Sequence, residues 1–490
     1  MKDLKERTIR GGLTKVFAQA AQMVLRLGSL MILARLLEPA DFGLVGMVTA
    51  FTGMLGLIKE FGLSAATVQR ATISDDLVST LFWMNMLVGA ILVGVSIALA
   101  PFVAAFYHEP RLFMVMAAIS SGFIFNAAGV QHSALLQRQM RFKALATVEV
   151  LSLVVGSAVS IASAVWGHGY WALVAWSVSV PLASTLLVWF LSGWIPGTPR
   201  LQTGMLASMR FGSIVTLNSV VVYFAYNLDK ILLGRFWGAQ VVGSYGRAYQ
   251  LMTLPMDAIN AAVGGVAFPV LSRLQDDPER LRSYFLNGYS LVLGLTIPMT
   301  VAFAFFANDL VPVVLGPGWD DAVPICQLLA PAILVCAVIN PSGWLLVSLG
   351  MVGRSLRIAL VIAPLVIGGC VIGLPYGPQG VAIGYSAAMM LWVVPHFLWC
   401  VRGTVVSFTD LALVVSRPLI AGIVGASGAF VLLWVVGSSW PAVPRLLLGC
   451  TVFGGVYLWV ILFVMGQKAF YLDTVRSITR RRAEEVLARP

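Results

Sequence analysis

Apolar runs of about 20 residues, the length a helix needs to cross a bilayer core, recur along this chain with only short polar breaks between them. They read as fourteen spans: the first two cover 12–36 and 43–64, the fifth 145–166, the seventh and eighth 210–236 and 243–270, the tenth 322–349, and the last 445–466. Only 11% of the 490 residues are charged and 59% are hydrophobic, with a mean hydropathy of +0.90, whereas about a quarter of the residues in soluble domains are charged. In lipid every backbone polar group needs an internal partner, so runs of this length imply helices. The expected fold class is all-α, a polytopic membrane protein.

The chain repeats itself in the same direction. Leu33-Ala34-Arg35 leads to Gly43, and Leu233-Gly234-Arg235 leads to Gly243; Arg10-Gly11-Gly12 recurs as Arg210-Phe211-Gly212. Spans 1–6 and 7–12 therefore form two pseudo-symmetric lobes, expected over 1–200 and 201–402, followed by an extra helix pair over 403–466 and a basic tail over 467–490. The lobe junction holds Pro196, Gly197 and Pro199 and is too short to be a domain. Prolines inside spans, at 181, 255, 269, 298, 331, 341, 364 and 395, fit kinked helices as well as ordinary membrane-helix usage.

The net charge of +11 does not point to nucleic acid, because the cations sit at alternate breaks and on no soluble domain. Lys2, Lys5, Arg7 and Arg10, then Arg138, Arg141 and Lys143, then Arg273, Arg280 and Arg282 mark one side; the other holds Arg35, Arg111, Arg235 and Arg445 with Asp309, Asp320 and Asp321. The positive-inside rule places both termini in the cytoplasm. Met1 to Arg10 is polar and the first apolar run is long enough to remain a span, so no cleaved signal is expected. The five cysteines show no paired short spacing, and neither disulfide, metal nor cofactor is implied. No loop between spans exceeds roughly twenty residues, which leaves no room for an extramembrane catalytic domain.

Charge inside a membrane costs at least about 2.5–3.5 kcal/mol per residue at a helix centre, so polar stripes within spans mark candidate sites. Lys15, Gln19, Gln22, Arg26 and Ser29 share one face of span 1; Thr216, Ser219, Tyr223, Tyr226 with Asn227, and Lys230 share one face of span 7. Span 2 carries Thr49, Gly53, Gly56 and Glu60 beside Lys59, and span 8 carries Tyr249, Thr253, Asp257, Asn260 and Gly264. A wet cavity walled by spans 1, 2, 7 and 8 fits these faces. Its cations would be Lys15, Arg26, Lys59, Lys230 and Arg247, against Glu60, Asp229 and Asp257. Bland readings stand beside this one. Asp229 and Lys230 fit an ion pair with Arg235 or Arg35, while Lys15, Lys59 and Arg247 lie near enough to span ends to snorkel. His132 with Asn126 reads as packing rather than as a proton relay, and Glu149 as a local salt bridge to Arg141 or Lys143. Arg26, near mid-span, is the hardest to explain without a cavity. A guanidinium in such a cavity suits phosphate, which accepts two charge-assisted hydrogen bonds from it; Tyr223, Tyr226, Tyr249 and Trp344 are candidates for stacking on sugars.

The segments Ala34-Arg35-Leu36-Leu37-Glu38-Pro39-Ala40-Asp41-Phe42-Gly43, Gly169-Tyr170-Trp171-Ala172-Leu173-Val174, Asn227-Leu228-Asp229-Lys230-Ile231-Leu232-Leu233-Gly234-Arg235 and Tyr245-Gly246-Arg247-Ala248-Tyr249-Gln250 resemble the bacterial polysaccharide transporters. These are the O-antigen and exopolysaccharide flippases of the multidrug/oligosaccharidyl-lipid/polysaccharide exporter superfamily. The resemblance covers spans 1–8 and implies a transporter of undecaprenyl-diphosphate-linked oligosaccharide, without covalent chemistry or cofactor. It further implies a monomer in the bacterial cytoplasmic membrane, with the lipid-linked oligosaccharide and the bilayer as partners and a polymerase and export machinery as possible ones. Cavity cations that hold the diphosphate would here be Arg26, Lys59, Lys230 and Arg247, of which only Lys230 and Arg247 lie in the quoted motifs. A cation-coupled drug or metabolite exporter of the same superfamily is the alternative, and an oligosaccharide polymerase or ligase the third.

Overall fold

The first two helices show how local chemistry sets the architecture. Helix α1 (Lys2–Leu36) stops where Glu38 and Pro39 follow, and α2 (Pro39–Ile58) begins with proline at the one position where its missing N–H is harmless. The Glu38 N–H donates to Asp41 Oδ2 at 3.2 Å, a capping interaction that holds the turn. Two hundred residues on, the same corner is made differently. The helical stretch Met205–Arg273 is divided at Gly238, whose φ of 80° and ψ of −176° lie outside helical space and are open to glycine alone at little cost. Its arms are α7 (205–237) and α8 (239–273).

The computed structural model describes the backbone of residues 2–58, 67, 73–199, 205–436 and 440–472, and the side chains of these apart from 2–16, 58, 205–222, 225, 261, 262, 265, 266, 268, 269, 352 and 436. Further helices are α3 (Asp75–Tyr107), α4 (Arg111–Arg138), α5 (Phe142–Val165), α6 (Trp171–Ser192), α9 (Pro278–Phe305), α10 (Ala307–Val314), α11 (Ala322–Ile339), α12 (Ser342–Ser348), α13 (Val352–Gly373), α14 (Gly377–Val401), α15 (Phe408–Val436) and α16 (Ala442–Trp459). Among the described residues, eleven helical stretches are long and apolar enough to cross a membrane, and one of these, Gly353–Val401, contains both α13 and α14. Most of the intraspan prolines stand inside unbroken helices. Pro341 is different: it separates α11 from α12, so the span expected over 322–349 is two helices.

Helix α3 shows the solvent for which these surfaces are built. Leu81, Asn85, Gly89, Leu92 and Ser96 are buried along one face, while Leu87 (62% exposed), Ile91 (54%) and Phe102 (65%) point outward. An apolar outer stripe of this kind is stable against lipid chains and costly against water.

The helices group into two compact units. The first comprises Met1–Leu254, Val314–Leu329 and Val352–Met389; in it α3 packs on α4, α5 on α6, α4 on α6 and α1 on α5. The second comprises Pro255–Val313, Ala330–Met351 and Met390–Pro490. Its core is a stripe on α9 at helical spacing, Leu281, Phe285, Tyr289, Leu293 and Ile297, packed with Leu271, Val338, Leu345 and Phe397. Helices α15 and α16 lie against it, with the Tyr457 hydroxyl donating to Gly294 O at 2.6 Å. Asp309 of α10 and Arg445 of α16 form a forked ion pair in this unit, with Nε 2.9 Å from Oδ1.

Candidate functional site

Within the first unit, α2 and α8 run so close that glycine is required on both. A Cβ at Gly43 would run into the Ala239 carbonyl, and a Cβ at Gly243 into the Pro39 carbonyl. Gly46 faces Val242 across the same seam. This close approach brings the polar faces of α2 and α8 together, with α1, α6 and α7 around them.

Two adjoining cavities of about 330 Å³ each open here. The first is lined by Thr49 of α2, Tyr223, Asn227 and Lys230 of α7, and Tyr249 and Thr253 of α8. The second is lined by Arg26 and Ser29 of α1 and Trp176 and Ser177 of α6. Phe42, Gly46, Thr49, Arg247 and Gln250 belong to both and form the partition. Among the described residues three cations line the pair, Arg26, Lys230 and Arg247, and no aspartate or glutamate does.

Each cation is held in its own way. Lys230 donates from Nζ to Asn227 Oδ1 at 3.1 Å and stands over the Tyr249 ring, 4.4 Å from its centre. Arg247 lies over the Phe42 ring at 4.8 Å, and its Nε is buried without a hydrogen-bond partner among the described residues. Its neighbour one turn on, Gln250, has a buried Oε1 that is likewise without a partner. Buried polar groups are nearly always satisfied, so two unsatisfied atoms on residues that line a cavity mark it as a place for a ligand or water. Arg26 is exposed, and no carboxylate pairs with it among the described residues.

The remaining expected site residues fall in several places. The Tyr223 hydroxyl donates to Thr49 O at 3.1 Å, and Asn227 Nδ2 to Tyr223 O at 2.9 Å. Asp229 is 2% exposed and lines neither cavity; its Oδ1 accepts from the Lys230 N–H at 2.7 Å. Arg235, one of its suggested ion-pair partners, instead lies 3.0 Å from His108 Nδ1. Gln22 donates to Glu149 Oε2 at 2.8 Å, so the partner of Glu149 comes from α1, while Arg141 donates to Leu191 O. Gln19 and Tyr226 are half-buried and line neither cavity. Asp257 and Asn260 belong to the second unit, where Asn260 has both amide atoms buried without a partner. Lys59 and Glu60, and the side chains of Lys15, Thr216 and Ser219, lie outside the described residues. His132 is fully buried and stacked on Trp189 at 4.5 Å, which is a packing role.

Sequence reasoning missed Gln250, Phe42 and Trp176. Gln250 was open to discovery, since it stands three residues after Arg247 and so on the same face of α8. Phe42 and Trp176 carry no signal of their own in so apolar a chain.

The chain is 28% identical over 390 residues to the lipopolysaccharide biosynthesis protein WzxC of Escherichia coli (strain K12), covering 79% of each chain. It is 23% identical over 478 residues to the succinoglycan biosynthesis transport protein ExoT of Rhizobium meliloti (strain 1021), covering 97% of this chain and 94% of that one. Among solved structures, the lipid II flippase MurJ in its inward closed conformation has the same fold. Its TM-score is 0.72 at 14% identity, over 96% of this chain and 100% of that one. Residues 32–324 match the family described as polysaccharide biosynthesis protein. That stretch is more than half of the chain and holds the Gly43–Gly243 seam, Lys230 and Arg247, with Arg26 just ahead of it; the chain belongs to the polysaccharide biosynthesis protein family.

Proposed function

We propose that this protein is a flippase, moving undecaprenyl-diphosphate-linked oligosaccharide from the inner to the outer leaflet of the bacterial cytoplasmic membrane for lipopolysaccharide or exopolysaccharide assembly. The observation that carries this reading is the cavity pair lined by Arg26, Lys230 and Arg247, with no carboxylate among the described lining residues. Such a lining suits a diphosphate, whose charge bars it from lipid, and disfavours a cationic drug, which needs carboxylates. The polyprenyl tail remains in the bilayer while the polar head crosses in a wet cavity. The work is transport, with no bond made or broken. The named roles of WzxC in lipopolysaccharide biosynthesis and of ExoT in succinoglycan transport support it.

The reading includes fourteen spans, counting α13 and α14 separately and adding α7 and α8, with both termini cytoplasmic. The repeat lobes 1–200 and 201–402 act as the halves of an alternating-access monomer. Lys59, Lys15 and Glu60 join the site in this proposal on the strength of the polar stripes.

The test is deletion of the gene, followed by measurement of surface or secreted polysaccharide and of undecaprenyl-diphosphate-linked oligosaccharide in the membrane. Loss of polymer with accumulation of cytoplasm-facing lipid-linked units is the expected result. Unchanged glycans with new sensitivity to cationic compounds would move the assignment to a drug exporter, and glycosyl transfer by the purified protein to a polymerase. Complementation with Arg26→Ala should fail at unchanged protein level; a normal yield would remove Arg26 from the site.

A further inference from the structure

The two cavities differ in more than position. The Lys230 cavity has two tyrosines: Lys230 covers the Tyr249 ring, and the Tyr223 hydroxyl is already spent on Thr49 O. Trp344 rests on Gly264 in the second unit. The Arg26 cavity has one aromatic of its own, Trp176. Other indoles of this unit are engaged: Trp83 donates to Gly197 O, Trp189 to Ala128 O, Trp237 to Leu374 O and Trp319 to Ala34 O. For Trp176 the described residues offer neither a hydrogen-bond acceptor nor an aromatic partner. It also stands five residues inside α6, roughly 7.5 Å along the axis from Trp171, rather than at the helix end where membrane tryptophans collect.

The same cavity is lined by Arg26, which has no carboxylate partner among the described residues, and by Arg247 and Gln250, whose Nε and Oε1 are buried without hydrogen-bond partners. A flat apolar face, an amide acceptor and planar guanidinium donors are what a sugar ring needs. Its C–H face stacks on the aromatic, and its hydroxyls exchange hydrogen bonds with the polar groups around the edge. A bare phosphate can accept a hydrogen bond from the indole N–H but gains nothing from its flat face.

We infer that Trp176 is the sugar-stacking platform of this site, holding the saccharide next to the diphosphate in the Arg26 cavity and favouring glycan-bearing over bare lipid diphosphate. The inference rests on the flippase reading and adds to it a division of labour. The partition residue Arg247 serves the diphosphate, and Trp176 with Gln250 reads the first sugar.

The test uses the full-length protein in lipid nanodiscs and measures binding of undecaprenyl diphosphate and of its glucose, galactose and N-acetylglucosamine derivatives, with undecaprenol as blank. The wild type should bind at least one sugar lipid about tenfold more tightly than the bare diphosphate, the scale expected for one aromatic contact. Trp176→Leu, which keeps the apolar bulk and removes the flat face, should erase that preference and leave affinity for the bare diphosphate unchanged. Trp176→Phe should restore part of it. No sugar preference in the wild type, or equal weakening of bare and sugar lipids by Trp176→Leu, would overturn the inference while the flippase reading stands. Binding of undecaprenyl diphosphate no better than undecaprenol would instead overturn the flippase reading, and this inference with it.

Discussion

Gly43 and Gly243 occupy equivalent positions of the internal repeat, and each meets the carbonyl that stands four residues before the other: Ala239 O faces Gly43, and Pro39 O faces Gly243. The contact is backbone on backbone, so no side-chain rotation relieves an added methyl. Gly43→Ala and Gly243→Ala should each destabilise the protein by about 1–3 kcal/mol, as overpacking does, and reduce export. Because both press on one seam, the double variant should cost less than the sum. Thermal unfolding in detergent, with complementation of polymer synthesis, checks this; additive losses would mean that the two glycines serve separate contacts.

Arg247 is held over Phe42, so its placement depends on an aromatic face as well as on its own helix. Phe42→Leu preserves apolar volume and removes the ring, a loss of about 0.5–2 kcal/mol of cation–π attraction. Export should fall severalfold at normal protein level. Arg247→Lys, which keeps the charge and loses the planar fork, should fall further. A wild-type rate of translocation in proteoliposomes for both variants would remove Arg247 from the transport path.

Asp309 and Arg445 tie α10 to α16 in the second unit, with side-chain exposures of 7% and 23%. Removing one partner from a buried pair costs about 3–5 kcal/mol, and the partly open arginine lowers that to roughly 2–3 kcal/mol here. Arg445→Leu should therefore lower the melting temperature, and adding Asp309→Leu should recover most of the loss, since no charge is then stranded. Failure of the second change to recover stability would contradict the argument.

Between α3 and α4, the Arg111 guanidinium sits 2.8 Å from Glu109 and holds its carboxyl below the usual glutamate range. The sign follows from the lowered folded value. Any stabilisation is present above the ordinary glutamate pKa of about 4.3 and is lost as pH falls through the lower folded one. Arg111 is 55% exposed, and such pairs contribute at most about 1 kcal/mol. Glu109→Gln should leave the melting temperature at pH 7 almost unchanged and flatten its dependence only in the acid range below that pKa. A large loss at neutral pH would show that this pair anchors the loop.

Much of the fold was readable because a bilayer imposes a length on every helix. The run expected over 145–166 is α5 at Phe142–Val165, whereas the second span, expected from 43, begins four residues earlier at Pro39, where proline and the Asp41 carboxylate shape the turn. The break inside 322–349 depended on whether neighbouring helices satisfy the backbone around Pro341, which pattern does not record. In the site, helical spacing reached Arg26, Lys230 and Tyr223, and a motif reached Arg247, because charge in an apolar run stands out. Trp176 and Phe42 did not stand out; they matter through what distant helices place beside them. Of the stripes on spans 1 and 7, Arg26, Ser29, Tyr223, Asn227 and Lys230 line the cavities while Gln19 and Tyr226 line neither, since spacing gives a face and not a depth.

The seam at Gly43 and Gly243 has the reciprocity of a homodimer interface, in which one patch meets its own copy. In a true homodimer every substitution appears twice, and a symmetric pocket can accept its ligand in two opposed poses. Here the two copies are one polypeptide and have diverged: Lys230 stands where the first repeat has Leu30, Arg247 where it has Met47, and Arg26 where the second repeat has Tyr226. The scaffold is two-fold and its charges are not. A ligand therefore meets a different set of donors in each cavity, Lys230 with Asn227 in one and Arg26 with Ser29 in the other, where a symmetric pocket would offer the same set twice.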